Sequence, residues 1–591
     1  MIAFLRWAGS IVAGTFNGLI KFALAIVVIF GIFAVIGMTH GDGLPDNMVL
    51  SLDLRKPLAD SAPSDFTLGA RPVTVMGLLL TLNAAERDNR VKGVFLRLGD
   101  ANLPIAQAEE IGAALKRFRT AGKFVIAHSQ GFEASGLGDY LAAAAANQIW
   151  MQPKSMFGAA GEGGGELFLR GFLDKIQAEP QIAKRAEYKS AADMFMESGM
   201  TGPDREQITA LMQSWYNTAV DGAADDRKLT PKALAAAFEA SPQFAEDAEK
   251  AGLIDKIGYD DDARNAAVLQ AGAGAKSVPF AQYMRVKQAT SRYVAGPHIA
   301  LVEASGDIVE GSAGGGMFGG NAVIAGDDMA RAIRQAAEDK DVKAIILRVD
   351  SPGGSVTASD QILDAVKKAQ KAGKPVVVSM GGVAASGGYY ISLSADKIVA
   401  EPGTITGSIG VLTGKVAIGK SLGLIGVKTD QVGVGKNALM NSDVTPYTPE
   451  QWALVNSEAD TIYADFLNKV AAGRKLPLAK VQQIARGRVW SGADAQTQGL
   501  VDKLGGFWTA TGIAKKLAGI PAGERVAFEI YPKHKGFFDA LDEFFGGSSD
   551  VMRAIQSFTM LMDAPIVREA VAAVGSAPQA DVELRATNLP Q

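Results

Sequence analysis

Between Asn89 and Gly131 the apolar positions change period twice. "VKGVFLRL" is almost continuously apolar, as a strand buried on both faces of a parallel sheet must be. "IAQAEEIGAALKRFRT" then spaces its apolar residues three and four apart, which predicts an amphipathic helix. "AGK" stops that helix, and the β-branched "KFVIAHS" starts a second strand. The same βαβ pattern recurs from Lys340 in "KDVKAIILRVDSPGGSVTASDQILDAVKKAQKAGKPVVVSMGG", 251 positions later, so that Arg97 matches Arg348 and Lys123 matches Lys374. Downstream the offset becomes 249, pairing Tyr140 with Tyr389 and Pro153 with Pro402. An internal repeat of this length predicts an α/β molecule of two homologous domains. Residues 45–270 form the first and 298–525 the second, with 271–297 as a linker and 526–591 as a C-terminal extension whose end has the composition of disorder.

Ahead of the repeats the pattern is different. Phe22–Met38, "FALAIVVIFGIFAVIGM", is uninterruptedly apolar and just long enough to cross the hydrocarbon core as a helix. Arg6 and Lys21 precede it and Asp42 is the first acidic residue after it. The positive-inside rule therefore predicts a cytoplasmic N-terminus within residues 1–44, a single uncleaved anchor at 22–38, and both domains on the extracytoplasmic side. A cleaved signal is the rival reading, but no small-residue cleavage pattern follows convincingly.

Composition narrows the chemistry. The net charge is -4 with 21% charged residues, which gives no electrostatic footprint for nucleic acid. There is no cysteine, so disulfides, thiol catalysis and cysteine-zinc sites are excluded together. Only His40, His128, His298 and His534 exist, and their contexts read as structural or surface positions.

The two copies differ where chemistry is expected. In the second, "GGVAASGGYYIS" (381–392) surrounds Ser386 with small residues; at constant offset its counterpart is Leu137. In the first, "RAEYKSAADMF" contains Lys189, whose counterpart is Ala438. One copy keeps a serine and lacks the lysine, the other the reverse, which points to one site shared between domains. Without a histidine, the remaining base for a serine is a neutral lysine. That requires Lys189 in a dry pocket with a hydroxyl rather than a carboxylate beside it. Glu187, two residues away, must therefore turn elsewhere, to solvent or Arg185.

"RVDSPGGSV", "GGVAASGGYYIS", "AEPGTITGSIGV" and "EYKSA" resemble the motifs of the signal peptide peptidases of the protease IV type, in their long two-domain form. The likeness runs from the apolar segment to about residue 530. It implies the fold shared by Clp protease and the crotonases, a serine–lysine dyad, and a membrane-anchored endopeptidase of the bacterial inner membrane. Such an enzyme degrades remnant signal peptides and other hydrophobic peptides, and assembles as a homo-oligomer, a tetramer in the long form. Residue by residue, Ser386 is then the nucleophile, Lys189 the general base, and Ser408 the group that orients the lysine amine; Ala159 replaces Ser408 in the first copy. Gly353 and Gly387 supply the N–H pair for the oxyanion. No metal, cofactor or nucleic acid is implied. Asp350, before "SPGG", departs from the asparagine expected there and adds a charge near the oxyanion loop.

Two other readings share this fold. A crotonase-like acyl-CoA enzyme would need no nucleophilic serine and would not divide a serine and a lysine between its copies. An idle membrane scaffold would keep the fold without the chemistry. Among the remaining motifs, "GVGKN" (433–437) lacks the Ser/Thr of a phosphate loop. "GSAGGGMFGGNAV" (311–323) reads as a flexible loop, "AGEGGGELFL" (160–169) as a structural turn, and Tyr389 and Tyr390 as helix core. Phe537, Phe538, Phe544 and Phe545 lie on an amphipathic stretch for which plain packing is expected.

Overall fold

The computed structural model describes residues 42–61, 72–99, 101–132, 136–291, 296–312 and 323–532. The predicted anchor at 22–38, most of the glycine-rich loop 311–323, His40, His534, the aromatic stretch and the tail lie outside the described residues. Among the described residues no helix is long and apolar enough to cross a membrane. Asp46–His534 is one compact unit; the other, Met1–Pro45 with Lys535–Gln591, falls almost wholly outside the description.

Two sheets form the frame of the compact unit. The first runs Lys256–Ile257, Gln148–Met151, Phe124–Ser129, Val91–Leu98, Met48–Asp53 and Lys276–Pro279, every pairing parallel. The second runs Val489–Ser491, Ile405–Gly407, Val376–Ala385, Val342–Ser351, His298–Ser305 and Ala527–Tyr531, with Lys397–Ala400 and Lys503–Leu504 branching from Val376–Ala385. Its pairings are parallel except that between Ile405–Gly407 and Val489–Ser491. Both predicted βαβ units are present. Their crossover helices are Ile105–Thr120 and Val356–Lys371, each 16 residues long. Each ends just before a glycine in the left-handed region, Gly122 at φ 82° and Gly373 at φ 81°. The lysines after them repeat one detail: Lys123 Nζ donates to the carbonyls of Asp88 and Val91, and Lys374 Nζ to those of Asp339 and Val342. These cations cap exposed carbonyls at the entry to the next strand.

The structure redraws two sequence boundaries. The stretch 271–297, expected to be a linker, contributes Lys276–Pro279 to the edge of the first sheet and the helix Phe280–Ser291. The proposed extension from 526 begins with Ala527–Tyr531, an edge strand of the second sheet. Lys276–Pro279 has no strand signal of its own and is strand because the neighbouring edge satisfies its backbone, whereas the apolar and aromatic run at Ala527–Tyr531 favours a strand and finds its edge on His298–Ser305.

Among the contacts that tie the repeats together, two bear on the site. Arg348, fully buried, meets Asp60 and Glu110 of the first half, with Nη2–Oδ1 at 2.5 Å and Nη2–Oε2 at 2.7 Å. The strand Glu179–Arg185 of the first half also pairs antiparallel with Val411–Ala417 of the second, from Val411↔Arg185 to Ala417↔Glu179. This ribbon packs on the long helix Pro449–Arg474 through Ala183, Val411, Val455 and Ala459.

Candidate active site

The strand Val376–Ala385 pairs in turn with Lys397–Ala400 and Ile405–Gly407, and delivers Ser386 at its end. There the chain turns sharply. Ser386 has φ 55° and ψ −114°, a conformation that L-residues seldom adopt and that persists only where surroundings enforce it. Its N–H donates to Gly407 O at 2.9 Å and its carbonyl accepts from Tyr390 N at 2.9 Å. The helix that follows, Gly387–Ser392, is short, and Tyr389 and Tyr390 fix it in the core; Tyr389 donates to Leu500 O at 3.0 Å. The serine hydroxyl is left half-buried and reachable.

Lys189 reaches the same point from the other half. The ribbon carries its strand across the repeat boundary, and the segment after it is clamped by Tyr188 N donating to Arg486 O at 3.1 Å and Gln207 Nε2 donating to Tyr188 O at 3.0 Å. Lys189 Nζ then lies 3.1 Å from Ser386 Oγ, 2.9 Å from Ser408 Oγ and 3.1 Å from Ser408 O. Ser408 holds this orientation through a left-handed backbone at φ 49° and its N–H bond to Arg488 O at 2.8 Å. Burial lowers the Lys189 pKa to about 8 from its ordinary 10.5, because the ammonium loses hydration with no anion to replace it. A neutral amine here has two N–H groups for the Ser408 oxygens and a lone pair left for the Ser386 proton.

Glu187 does turn away, but not to Arg185. It pairs with Arg486, while Arg185 Nε bonds Asp460 at 2.6 Å. Asp350 also differs from expectation. Its carboxylate accepts Val383 N–H at 2.9 Å, and burial, reinforced by Asp60, raises its pKa to about 6. The added acid therefore bonds the neighbouring strand and, with a pKa near 6, still carries most of its charge at neutrality.

The glycines around the serine show why side chains are absent. A Cβ on Gly353 (φ 116°) would lie 2.7 Å from Gly387 N and 2.9 Å from Ser386 Cβ. The N–H of Gly353 itself is directed at Ser351 Oγ, 3.2 Å away. The N–H of Gly354, close to Gly387, has no acceptor among the described residues, and neither does that of Gly387. The open N–H pair beside Ser386 is thus Gly354 with Gly387, a shift of one residue from the sequence reading. Two further glycines were not foreseen. A Cβ on Gly487 (φ 77°) would lie 2.6 Å from Lys189 Cβ, and one on Gly410 would run into Arg185 O. Both make room for the lysine, yet they are hundreds of residues from it in sequence, and no local pattern marks them.

The histidines stand apart from this cluster. His128 Nε2 lies 3.2 Å from Gly258 O in the first sheet, and His298 Nδ1 lies 2.5 Å from Glu529 Oε1 in the second.

Comparison with known proteins bears on this arrangement. The profile of peptidase family S49 matches residues 117–274 and 368–521, one stretch in each repeat. The chain belongs to peptidase family S49. The first match contains Lys189 and the second Ser386 and Ser408; a Clp protease profile also matches residues 325–403. This S49 peptidase is 32% identical over 536 residues to "Serine protease SPPA, chloroplastic" of Arabidopsis thaliana, covering 89% of this chain and 77% of the relative. It is 30% identical over 581 residues to "Protease 4" of Salmonella typhi, covering 93% and 90%. With "Protease 4" of Haemophilus influenzae the identity is 32% over 463 residues, covering 76% and 73%. The S49 peptidase is accordingly a serine peptidase built on a duplicated Clp-like α/β fold.

Proposed function

We propose that this S49 peptidase is an endopeptidase working by a serine–lysine dyad. Ser386 Oγ attacks the scissile carbonyl while neutral Lys189 takes its proton and later returns it to the leaving amine. Ser408 holds the amine in line through its hydroxyl and carbonyl. The oxyanion is received by the N–H of Gly387 with that of Gly354, and Gly353 leaves the carbonyl room to approach. Water then cleaves the acyl-enzyme, the same lysine acting as base.

The observation that supports this reading best is the 3.1 Å separation of Lys189 Nζ from Ser386 Oγ in a pocket where no carboxylate holds the lysine charged. Its substrates are hydrophobic peptides, remnant signal peptides first among them. The chain is anchored in the bacterial inner membrane through residues 22–38, keeps its catalytic halves outside the cytoplasm, and acts as a homo-oligomer. The resemblance to the protease IV type and the apolar N-terminal run support these points.

The test is covalent labelling with a serine-reactive fluorophosphonate alongside turnover of an apolar fluorogenic peptide. Ser386→Ala is expected to lose both signals. Lys189→Ala is expected to lower kcat by about 10³-fold or more with little change in KM, the effect of removing one member of a catalytic unit. Full activity in Lys189→Ala would show that another group is the base.

A further inference from the structure

The ribbon that carries Lys189 to Ser386 uses one strand from each repeat, so each repeat also holds the positional equivalent of the other's strand, and neither equivalent is paired as a strand within the chain. The equivalences are visible in the backbone. In the first half, helix Arg170–Lys175 ends with Ile176 at φ −89° and Gln177 at φ 55°, and Ala178 N donates to Leu173 O. In the second, helix Gly419–Leu424 ends with Ile425 at φ −100° and Gly426 at φ 78°, and Val427 N donates to Leu422 O. The offset is 249 throughout, so Glu179–Arg185 corresponds to residues 428–434. By the same offset Val411–Ala417 corresponds to residues 162–168. The first member of each equivalence is a strand; residues 162–168 and 428–434 form none.

Both segments carry the marks of an open junction. Residues 428–434 read "KTDQVGV", with Val432 and Val434 91% and 95% exposed, and Leu167 is 79% exposed. The supporting helices match as well: Gly202–Arg227 and Pro449–Arg474 are both 26 residues, capped by Thr201 and Thr448 and ended by left-handed Lys228 and Lys475. In the second half, Val455 and Ala459 are covered by the ribbon. Their counterparts at offset 247, Ile208 and Met212, remain half-exposed, although Gly164 already lies over Met212, whose Cε is 3.4 Å from where a Cβ on that glycine would be.

We propose that residues 428–434 of one copy pair antiparallel with residues 162–168 of the next copy of this chain, repeating between molecules the ribbon found within one. This rests on the homo-oligomer reading above and names the surfaces that make it. The contact is head-to-tail, since two different segments meet, so each copy offers one of each and the assembly grows in one direction until it closes. Exposed apolar strand edges otherwise invite uncontrolled pairing, and a specific partner removes that hazard.

The intrachain pair Thr413↔Ala183 becomes Gly164↔Val432 at the proposed junction. The natural chain has no cysteine, so single cysteines report without background. Gly164→Cys and Val432→Cys are made in separately tagged full-length chains, co-expressed, extracted in detergent and oxidised. A disulfide-linked heterodimer carrying both tags is expected, at least tenfold more abundant than with the off-register partner Val427→Cys. Failure to form it in a preparation that remains oligomeric by native mass overturns the junction while leaving the oligomer reading intact. A purely monomeric natural chain overturns both. Fluorophosphonate labelling of Ser386 in the same samples reports on the catalytic reading separately, because the cross-link does not depend on turnover.

Discussion

Lys189 shows how one buried side chain sets both activity and stability. With its pKa lowered to about 8, the amine is mostly protonated at pH 6 and mostly free at pH 9. Only the free form can accept the serine proton, so kcat/KM is expected to rise with pH and reach half its plateau near 8. A pH–rate profile with its lower limb near 6 would instead indicate a carboxylate or histidine base. The same shift has a cost. The folded state resists protonation that the unfolded chain accepts up to about 10.5, so the penalty is fully present below about 8. It is relieved as pH rises toward 10.5, where both states are neutral. The difference corresponds to on the order of 3 kcal/mol. Lys189→Met, which fills the space without a charge, is expected to abolish turnover yet raise the urea midpoint at pH 6. That gain should shrink as the pH approaches 10.

At the scale of elements, the decisive piece is the two-stranded ribbon, because with the clamp of Tyr188 N on Arg486 O it brings the first half's lysine to the second half's serine. Within it Gly414 (φ 146°) leaves no room for a side chain: a Cβ there would collide with Gln181 O and come 2.7 Å from Ile182 Cα. Gly414→Val is therefore expected to open the ribbon while leaving both sheets folded. Turnover should fall by at least about 10²-fold, since even an ångström of misplacement at a reacting group is costly. Circular dichroism and the thermal midpoint check that the sheets survive. The crossover helices and their flanking strands were legible in the sequence, because periodicity and an Ala-Gly-Lys stop are local signals. The ribbon was not: "IGVLTGKVAI" and "AEPQIAKRA" become strands only by meeting each other across more than two hundred residues.

Across the whole molecule, the repeats have diverged in how they use equivalent residues. Arg97 is 26% exposed and pairs with Asp53 and Asp260 inside its own half. Its counterpart Arg348 is 1% exposed and serves Asp60 and Glu110 from the other half. Arg348→Leu strands two carboxylates in a dry interface and is expected to lower unfolding free energy by about 3–5 kcal/mol. Arg97→Leu is expected to lower it by about 1 kcal/mol or less, as partly exposed pairs do. Urea titrations of the two variants would check the contrast, and equal losses would mean that Arg348 does not lock the halves together.

The sequence alone determined the duplicated α/β architecture, because strand and helix periods and helix stops are written within a few residues of one another. It also isolated Ser386 and Lys189, since each is missing from the other copy. Tertiary structure decided what depends on long-range approach: which carbonyls and amides meet the lysine, that Glu187 pairs with Arg486, and that Gly354 rather than Gly353 leaves its N–H open. It likewise decided that Gly410 and Gly487 clear the lysine's path. Those outcomes follow from steric fit and desolvation between segments far apart in the chain, and neither is encoded in local pattern.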